Sequence, residues 1–298
     1  MRVGLIRNPK SHRNLGRARA QPLPAGVMGA EPDSQDDLRE ALAAFAEARV
    51  EALAIEGGDG TVRDILSLLP GLFETPPMLA VYPLGKTNVL ARDLGPPPRL
   101  PALAAGIARP SQRRPLELSW PDGEHSPVHG FILGAAAYRR ATELSKRVNR
   151  AGIFQTASVA LTLALAIDRA LTGRTDNEWR AGEDIAVAVG GAAAREGRRF
   201  LLLASTLERL PLGARPFGAA PEGIGWLDIE APARRLSAML LPVLRGRDDP
   251  RLEPLGYRRG GAEQLSLAFS QPFIVDGELF PAGRVEVALG APIRFALA

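Results

Sequence analysis

Between Ala52 and Gly95 the chain runs twice through the same order: a short apolar strand, a glycine turn and the start of an apolar helix. The first run is Ala52-Leu53-Ala54-Ile55-Glu56, then Gly57-Gly58-Asp59-Gly60-Thr61, then Val62-Arg63-Asp64-Ile65-Leu66. The second is Leu79-Ala80-Val81-Tyr82, then Pro83-Leu84-Gly85-Lys86-Thr87-Asn88-Val89-Leu90-Ala91-Arg92. Strands and helices alternating in this way predict a doubly wound parallel sheet. Gly57, Gly58 and Gly60 let the backbone approach a ligand closely. The helix that follows turns unpaired N–H groups and the positive end of its dipole toward the loop. That arrangement favours an anion, and the commonest one of this shape is a phosphate chain. Thr61 can add a hydroxyl donor. Asp59 carries the wrong charge for a phosphate loop, so it calls for a metal, a sugar hydroxyl or a proton-transfer role.

A chain of 298 residues has room for one large domain or two ordinary ones. Its 46% apolar and 23% charged content is that of a soluble globular protein, and the absence of cysteine excludes disulfides and thiolate metal sites. The net charge of +4 rests almost wholly on arginine, since Lys10, Lys86 and Lys146 are the only lysines. This balance suits anionic partners such as nucleotides, lipid head groups, membrane surfaces or nucleic acid; it is equally what an arginine-rich codon usage would give. The start, Met1-Arg2-Val3-Gly4-Leu5-Ile6, has no long apolar region of a signal peptide.

Val3–Ile6 reads as a strand that ends in a basic turn, Arg7-Asn8-Pro9-Lys10-Ser11, which can form a second wall for a phosphate site. The proline-rich stretch 17–29 reads as irregular. Residues 33–49 have helical spacing with Asp33 or Ser34 as the cap. Beyond about 113 short strands with turn signals dominate, which predicts a mostly antiparallel β domain. The domains expected are 1–114 and 115–298. Helices interrupt the second at 136–150, 153–171 and 234–245, and the apolar 153–171 segment suits a buried or interfacial helix better than a span. The histidines, His12, His125 and His129, lack ligand spacing and read as surface or loop residues; Trp120, Trp179 and Trp226 read as packing; the arginine clusters Arg13, Arg17, Arg19 and Arg139, Arg140, Arg147, Arg150 read as solvated faces, the second with a membrane-facing role as its alternative. Phe273-Ile274-Val275-Asp276-Gly277-Glu278-Leu279 reads first as a hairpin turn, and its two carboxylates could instead serve as a general base with a partner.

Asn8-Pro9-Lys10-Ser11, Gly57–Thr61, Pro83-Leu84-Gly85 with Asn88 and Ala91, and Val275–Glu278 together resemble the diacylglycerol kinase catalytic family, which includes sphingosine, ceramide and bacterial lipid kinases. The resemblance implies an N-terminal α/β nucleotide domain, a β-rich lipid-substrate domain and an active site in the cleft between them. It also implies ATP and Mg2+ as cofactors. Gly57, Gly58, Gly60 and Thr61 would cradle phosphates, with Asn8, Gly85, Lys86, Thr87 and Asn88 lining the pocket. Asp59 would be the magnesium-linked acid, and Glu278 the general base beside Asp276. The partners implied are ATP and a lipid at a membrane surface, not nucleic acid. The place implied is cytoplasmic, peripheral to the inner face of the membrane.

The chain departs from that family at three places. Lys86 and Val89 stand in the second loop where the family has a threonine and a carboxylate. Pro221-Glu222-Gly223-Ile224-Gly225-Trp226-Leu227-Asp228 lacks the family's paired acids before a strand, and Val27-Met28-Gly29 lacks its early threonine. Two further readings stay open: a lipid- or nucleotide-binding pseudokinase, and a soluble kinase of the NAD-kinase kind, which shares Gly57–Thr61 but not the later motifs.

Overall fold

The computed structural model describes residues 1–11, 23–150, 178–219 and 221–298. They form two compact units, Met1–Pro115 with Ala291–Ala298, and Leu116–Gly290. In the first unit β1 (Val3–Arg7), β2 (Val27–Ala30), α1 (Gln35–Glu47), β3 (Ala52–Gly57), α2 (Asp59–Leu72), β4 (Met78–Pro83), α3 (Val89–Leu94), α4 (Leu100–Ala104) and β5 (Arg109–Arg113) follow in order. The sheet order is β2, β1, β3, β4, the C-terminal strand Ile293–Leu297, then β5. All neighbours are parallel except that last strand and β5. The central strands are apolar on both faces, with Val3, Leu5, Ile6 and the whole run Ala52–Ile55 buried, as a sheet covered on both sides requires. Helix α1 starts at a reciprocal cap, in which Ser34 accepts from the Asp37 amide and Asp37 accepts from the Ser34 amide. It buries Leu38, Leu42 and Phe45.

The second unit contains β6 (Leu116–Ser119), β7 (Val128–Gly130), β8 (Ile132–Ala136), α5 (Ala137–Arg150), β9 (Glu183–Val189), β10 (Arg198–Ser205), β11 (Ile224–Glu230), α6 (Leu236–Leu244), β12 (Tyr257–Ala262), β13 (Gln264–Phe269), β14 (Phe273–Val275), β15 (Glu278–Phe280) and β16 (Gly283–Leu289). These strands make one antiparallel sheet in the order β15, β14, β8, β10, β9, β13, β16, β6, β7, with β11 paired to β10 and β12 to β11. Its core includes Trp120, Trp226, Phe269 and Phe273. Asp228 on β11 is fully buried, with Arg199 Nε 2.8 Å away and Arg195 at 3.4 Å. Burial pushes its carboxyl above the usual carboxylate range, against the pull of those arginines.

Thus an α/β domain with a parallel sheet and an antiparallel β-rich domain are both present. Four local expectations are corrected. Val27–Ala30 is not irregular, because Val27, Met28, Gly29 and Ala30 pair in register with Val3–Ile6. The C-terminus does not stay with the β-rich unit; Phe295 is fully buried and pairs with Leu79 on β4. His129 is buried rather than at the surface, 3.5 Å from Glu117, and burial lowers its pKa. Arg139 and Arg140 are not a solvated face; they point to the buried carboxylate of Glu183 at 2.7 and 3.5 Å. The expected helix at 153–171, His12 and the arginines Arg13, Arg17 and Arg19 lie outside the described residues.

Truncating Phe295 removes a buried ring from the strand that lies between β4 and β5 in the first sheet. Phe295→Ala should cost about 3–5 kcal/mol of stability. All three tryptophans lie in the second unit, so fluorescence is a poor reporter here. Hydrogen exchange read by mass spectrometry should show residues 1–115 losing protection while 116–290 keep theirs.

Candidate functional site

The site in the first unit is built at the carboxyl ends of β1, β3 and β4, where ligands bind in open parallel sheets. The β3 strand ends in Gly57, and α2 begins at once with Gly58 as its cap. No side chain caps this helix, and among the described residues the N–H groups of Asp59, Gly60 and Thr61 meet no acceptor. A Cβ placed on Gly60 would touch nothing within 4 Å, so the first turn is open. Asn8, on the turn after β1, donates from Nδ2 to Thr61 Oγ1 at 2.8 Å. That bond occupies a lone pair of the hydroxyl and leaves its hydrogen free to donate outward. The Asn8 side chain also accepts from the Lys10 amide at 2.9 Å, and the Asn8 backbone amide donates to the Glu56 carbonyl at 3.0 Å.

The second loop is pressed against the first. The Gly57 carbonyl accepts from the Leu84 and Gly85 amides at 3.0 and 3.2 Å. A Cβ on Gly85 would fall 2.5 Å from the Gly58 Cα, so that position requires glycine, and one on Gly58 would lie a tight 3.1 Å from the Gly85 Cα. Asn88 is buried in the left-handed region at φ 51°. Its Oδ1 accepts from the Gly85 amide at 2.9 Å and its Nδ2 donates to the Gly85 carbonyl at 2.8 Å, which closes the loop. Asparagine tolerates this backbone geometry better than most residues. Lys86 is exposed at the loop's tip, with Thr87 half-buried beside it.

Asp59 joins the two loops. Its Oδ2 accepts from the Val89 amide at 3.0 Å and its Oδ1 from the Leu90 amide at 3.2 Å. Burial pushes its carboxyl above the usual range, and these amides, that of Asn88 and the charge of Arg92 pull the other way. Among the described residues no group of three or more His, Asp or Glu side chains is placed to hold a metal ion.

In the second unit Val275 pairs with Glu278 across a two-residue turn, with Asp276 at φ 47° and Gly277 at φ 86°. Both residues lie in the left-handed region, as a primed hairpin turn demands. The Asp276 carboxylate accepts from the amides of Phe131, at 3.0 Å, and Ile132, at 2.9 Å. Its own amide donates to the Ile132 carbonyl at 2.9 Å. This is why the apolar run Val128–Leu133 is two strands rather than one: Phe131 lies in the break and its amide serves the hairpin. Glu278 and Leu279 are exposed on the outgoing strand.

The structure therefore brings Asn8, Gly57, Gly58, Asp59, Gly60, Thr61, Gly85 and Asn88 into one cluster, and Asp276 with Glu278 into one hairpin. Sequence reasoning missed the polar frame beside the first cluster. Arg7 donates to Glu56 at 2.6 Å and to Glu31 at 3.0 Å, and Tyr82 donates to the Pro98 carbonyl at 2.8 Å. Burial, helped by Glu56, pushes the Tyr82 phenol up to about 12. Arg7 ends β1 and Glu56 is the next-to-last residue of β3, and a charge at the end of each otherwise apolar strand is the signal in the sequence.

Residues 2–119 match the family model of the diacylglycerol kinase catalytic domain. No curated protein sequence matches the chain. Among solved structures, one described as a diacylglycerol kinase from Bacillus anthracis str. Sterne is 14% identical with a TM-score of 0.63. Another from that organism, described as a "putative diacylglycerol kinase", is 15% identical with a TM-score of 0.67. Each alignment covers 100% of this chain and 97% of the other, and at such identities the likeness is one of fold. The family match falls on the same strands and loops that form the cluster above, so the chain carries a diacylglycerol-kinase-like catalytic domain.

Proposed function

We propose that this protein is an ATP-dependent kinase that phosphorylates the hydroxyl of a lipid, of the diacylglycerol, sphingoid-base or ceramide class. The observation that carries the reading is the open first turn of α2, whose amides lack acceptors while Thr61 is held with its hydrogen free. Three amides, a hydroxyl and a helix dipole form a ready seat for phosphate oxygens. ATP fits this seat, and when bound it supplies the phosphoryl group. Gly58 and Gly85 let the two loops pack together, Gly60 leaves the turn open to the phosphates, Asn8 sets the Thr61 hydroxyl, and exposed Lys86 offsets phosphate charge.

Asp59 does not fit a magnesium ligand as it is placed, because each of its oxygens already accepts an amide hydrogen from α3 and burial disfavours its charge. Its role here is to position the second loop. Magnesium would travel on the nucleotide phosphates. Glu278 takes the proton from the lipid hydroxyl as its oxygen bonds to the γ-phosphorus and the bond to the bridging oxygen of ADP breaks. Asp276 positions the turn that presents Glu278.

One observation favours a second reading, a nucleotide-binding protein without turnover. Position 89 is valine, so the second loop offers its backbone N–H but no carboxylate. Turnover of ATP against diacylglycerol, monoacylglycerol, sphingosine and ceramide in mixed micelles separates the two. A phosphorylated lipid supports the kinase, whereas nucleotide binding with no product from any acceptor supports the second reading.

Glu278→Gln should lower kcat by about 10²–10⁴-fold and leave ATP affinity unchanged, checked by lipid-product assay and calorimetric titration of a non-hydrolysable ATP analogue. An equal kcat would remove Glu278 from the role of base. Gly85→Ala should weaken that analogue by at least about tenfold, because its methyl group must push Gly58 and the Asn88 side chain apart. Gly60→Ala meets no neighbour and should leave the melting temperature unchanged, so any loss of affinity in that variant reports the ligand's approach and not the fold.

A further inference from the structure

Helix α6, Leu236-Ser237-Ala238-Met239-Leu240-Leu241-Pro242-Val243-Leu244, has no charged residue. A helix apolar all round belongs in a core or in a membrane. This one lies at the surface. Met239 and Val243 are buried, while Leu241 on the opposite side is 51% exposed and Leu240 and Leu244 are half-exposed.

Arginine frames both ends of the helix. Arg234 and Arg235 lead into it; Arg245 and Arg247 follow it. Arg215 joins the second group, since its amide donates to the Leu244 carbonyl at 2.9 Å. All five side chains belong to exposed residues. None forms an ion pair with a carboxylate among the described residues, although Arg234 is near enough to Glu230 to help depress its carboxyl. The acids nearest in sequence, Asp248 and Asp249, face Arg259 and Arg251.

Arg234 and Arg235 stand at the wrong end of a helix for cations. The dipole and the first N–H groups there favour an anion, and Arg235 is itself the cap, at φ 49°, with no side-chain cap bond. The fold gains nothing from this concentration of positive charge. An external anion at the same height as an apolar layer resolves both the charge and the bare leucines. Phospholipid bilayers present that combination: anionic head groups above hydrocarbon.

We propose that α6 and its flanking arginines form a docking surface for an anionic membrane, with Leu241, Leu240 and Leu244 entering the interface and Arg215, Arg234, Arg235, Arg245 and Arg247 meeting lipid phosphates. The choice of a membrane rests on the lipid-kinase reading for its setting, but the surface is tested without turnover. Sedimentation with phosphatidylcholine vesicles, alone or mixed with phosphatidylglycerol, reads it directly. The wild-type protein should bind the mixed vesicles, more weakly as salt rises, and bind phosphatidylcholine alone poorly. Leu241→Glu and the pair Arg234→Gln with Arg235→Gln should each weaken that binding by about tenfold. Ile107→Glu, a change at a 68% exposed residue of the other unit, should not.

Melting temperatures equal to wild type show that the variants are folded. If Leu241→Glu falls short, Leu241→Ser carries the same test. Equal binding of all variants, or equal binding to both kinds of vesicle, overturns the proposal. So does a dimer, seen by light scattering and lost in Leu241→Glu, in a protein that ignores vesicles; the face would then join two copies of the chain. A protein that binds vesicles as expected yet phosphorylates no lipid would leave the surface standing and overturn the kinase reading alone.

Discussion

The two-loop cluster of the first unit depends on one carboxylate serving a helix other than its own. Asp59 sits in the first turn of α2, where the dipole favours an acid, but its oxygens accept the amides of Val89 and Leu90 on α3. Each partner answers a need of the other. The α3 start has orphan donors and no side-chain cap, and a buried carboxylate is costly unless its lone pairs are used. The exchange leaves the first amides of α2 without a protein acceptor. Had Gly58 been serine or aspartate, a local cap would have filled that turn. An uncapped helix start is therefore a consequence of how the two loops are tied, and it is what leaves the turn open.

The β-rich unit uses the same device in a different setting. Asp276 lies in a hairpin turn, and its carboxylate accepts two amides from the break between β7 and β8. Those amides are lost to the sheet because Phe131 interrupts it, so the aspartate completes a ladder that the strands leave unfinished. The turn is thereby fixed at one end, and Glu278 follows it by two residues on a strand paired with Val275. A side chain on a tied hairpin holds its direction better than one on a free loop, as the proposed role of Glu278 would require.

Much of this was legible in the chain before any coordinates. The strand–glycine–helix order announced the parallel sheet, and Asp-Gly at 276–277 announced the hairpin, because each rests on local rules. What escaped was decided by distant partners. Val27–Ala30 carries two small or flexible residues and looks irregular, yet β1 offers it an edge. Phe295 looks like one more strand residue of the β-rich unit, and only the open side of β4 draws it away. The job of Asp59 was the hardest to read. Its charge argued for a metal or a proton, and nothing in the neighbouring residues told that amides thirty positions later would claim both oxygens.

That engagement bears on the substitution in the second loop. Val89 contributes to the tie through its backbone N–H, which any residue but proline supplies. Asn88 and Gly85 close the loop without help from the side chain at 89. The loop's shape is therefore independent of whether a carboxylate stands there, and the fold exerts no pressure to keep one. A valine at 89 leaves that architecture untouched, and the proposed reaction would rest on other groups. The decision falls to groups that survive around it: the free hydrogen of Thr61, the open amides of α2, and Lys86, whose cation lies exposed on the loop in which the family carries a threonine.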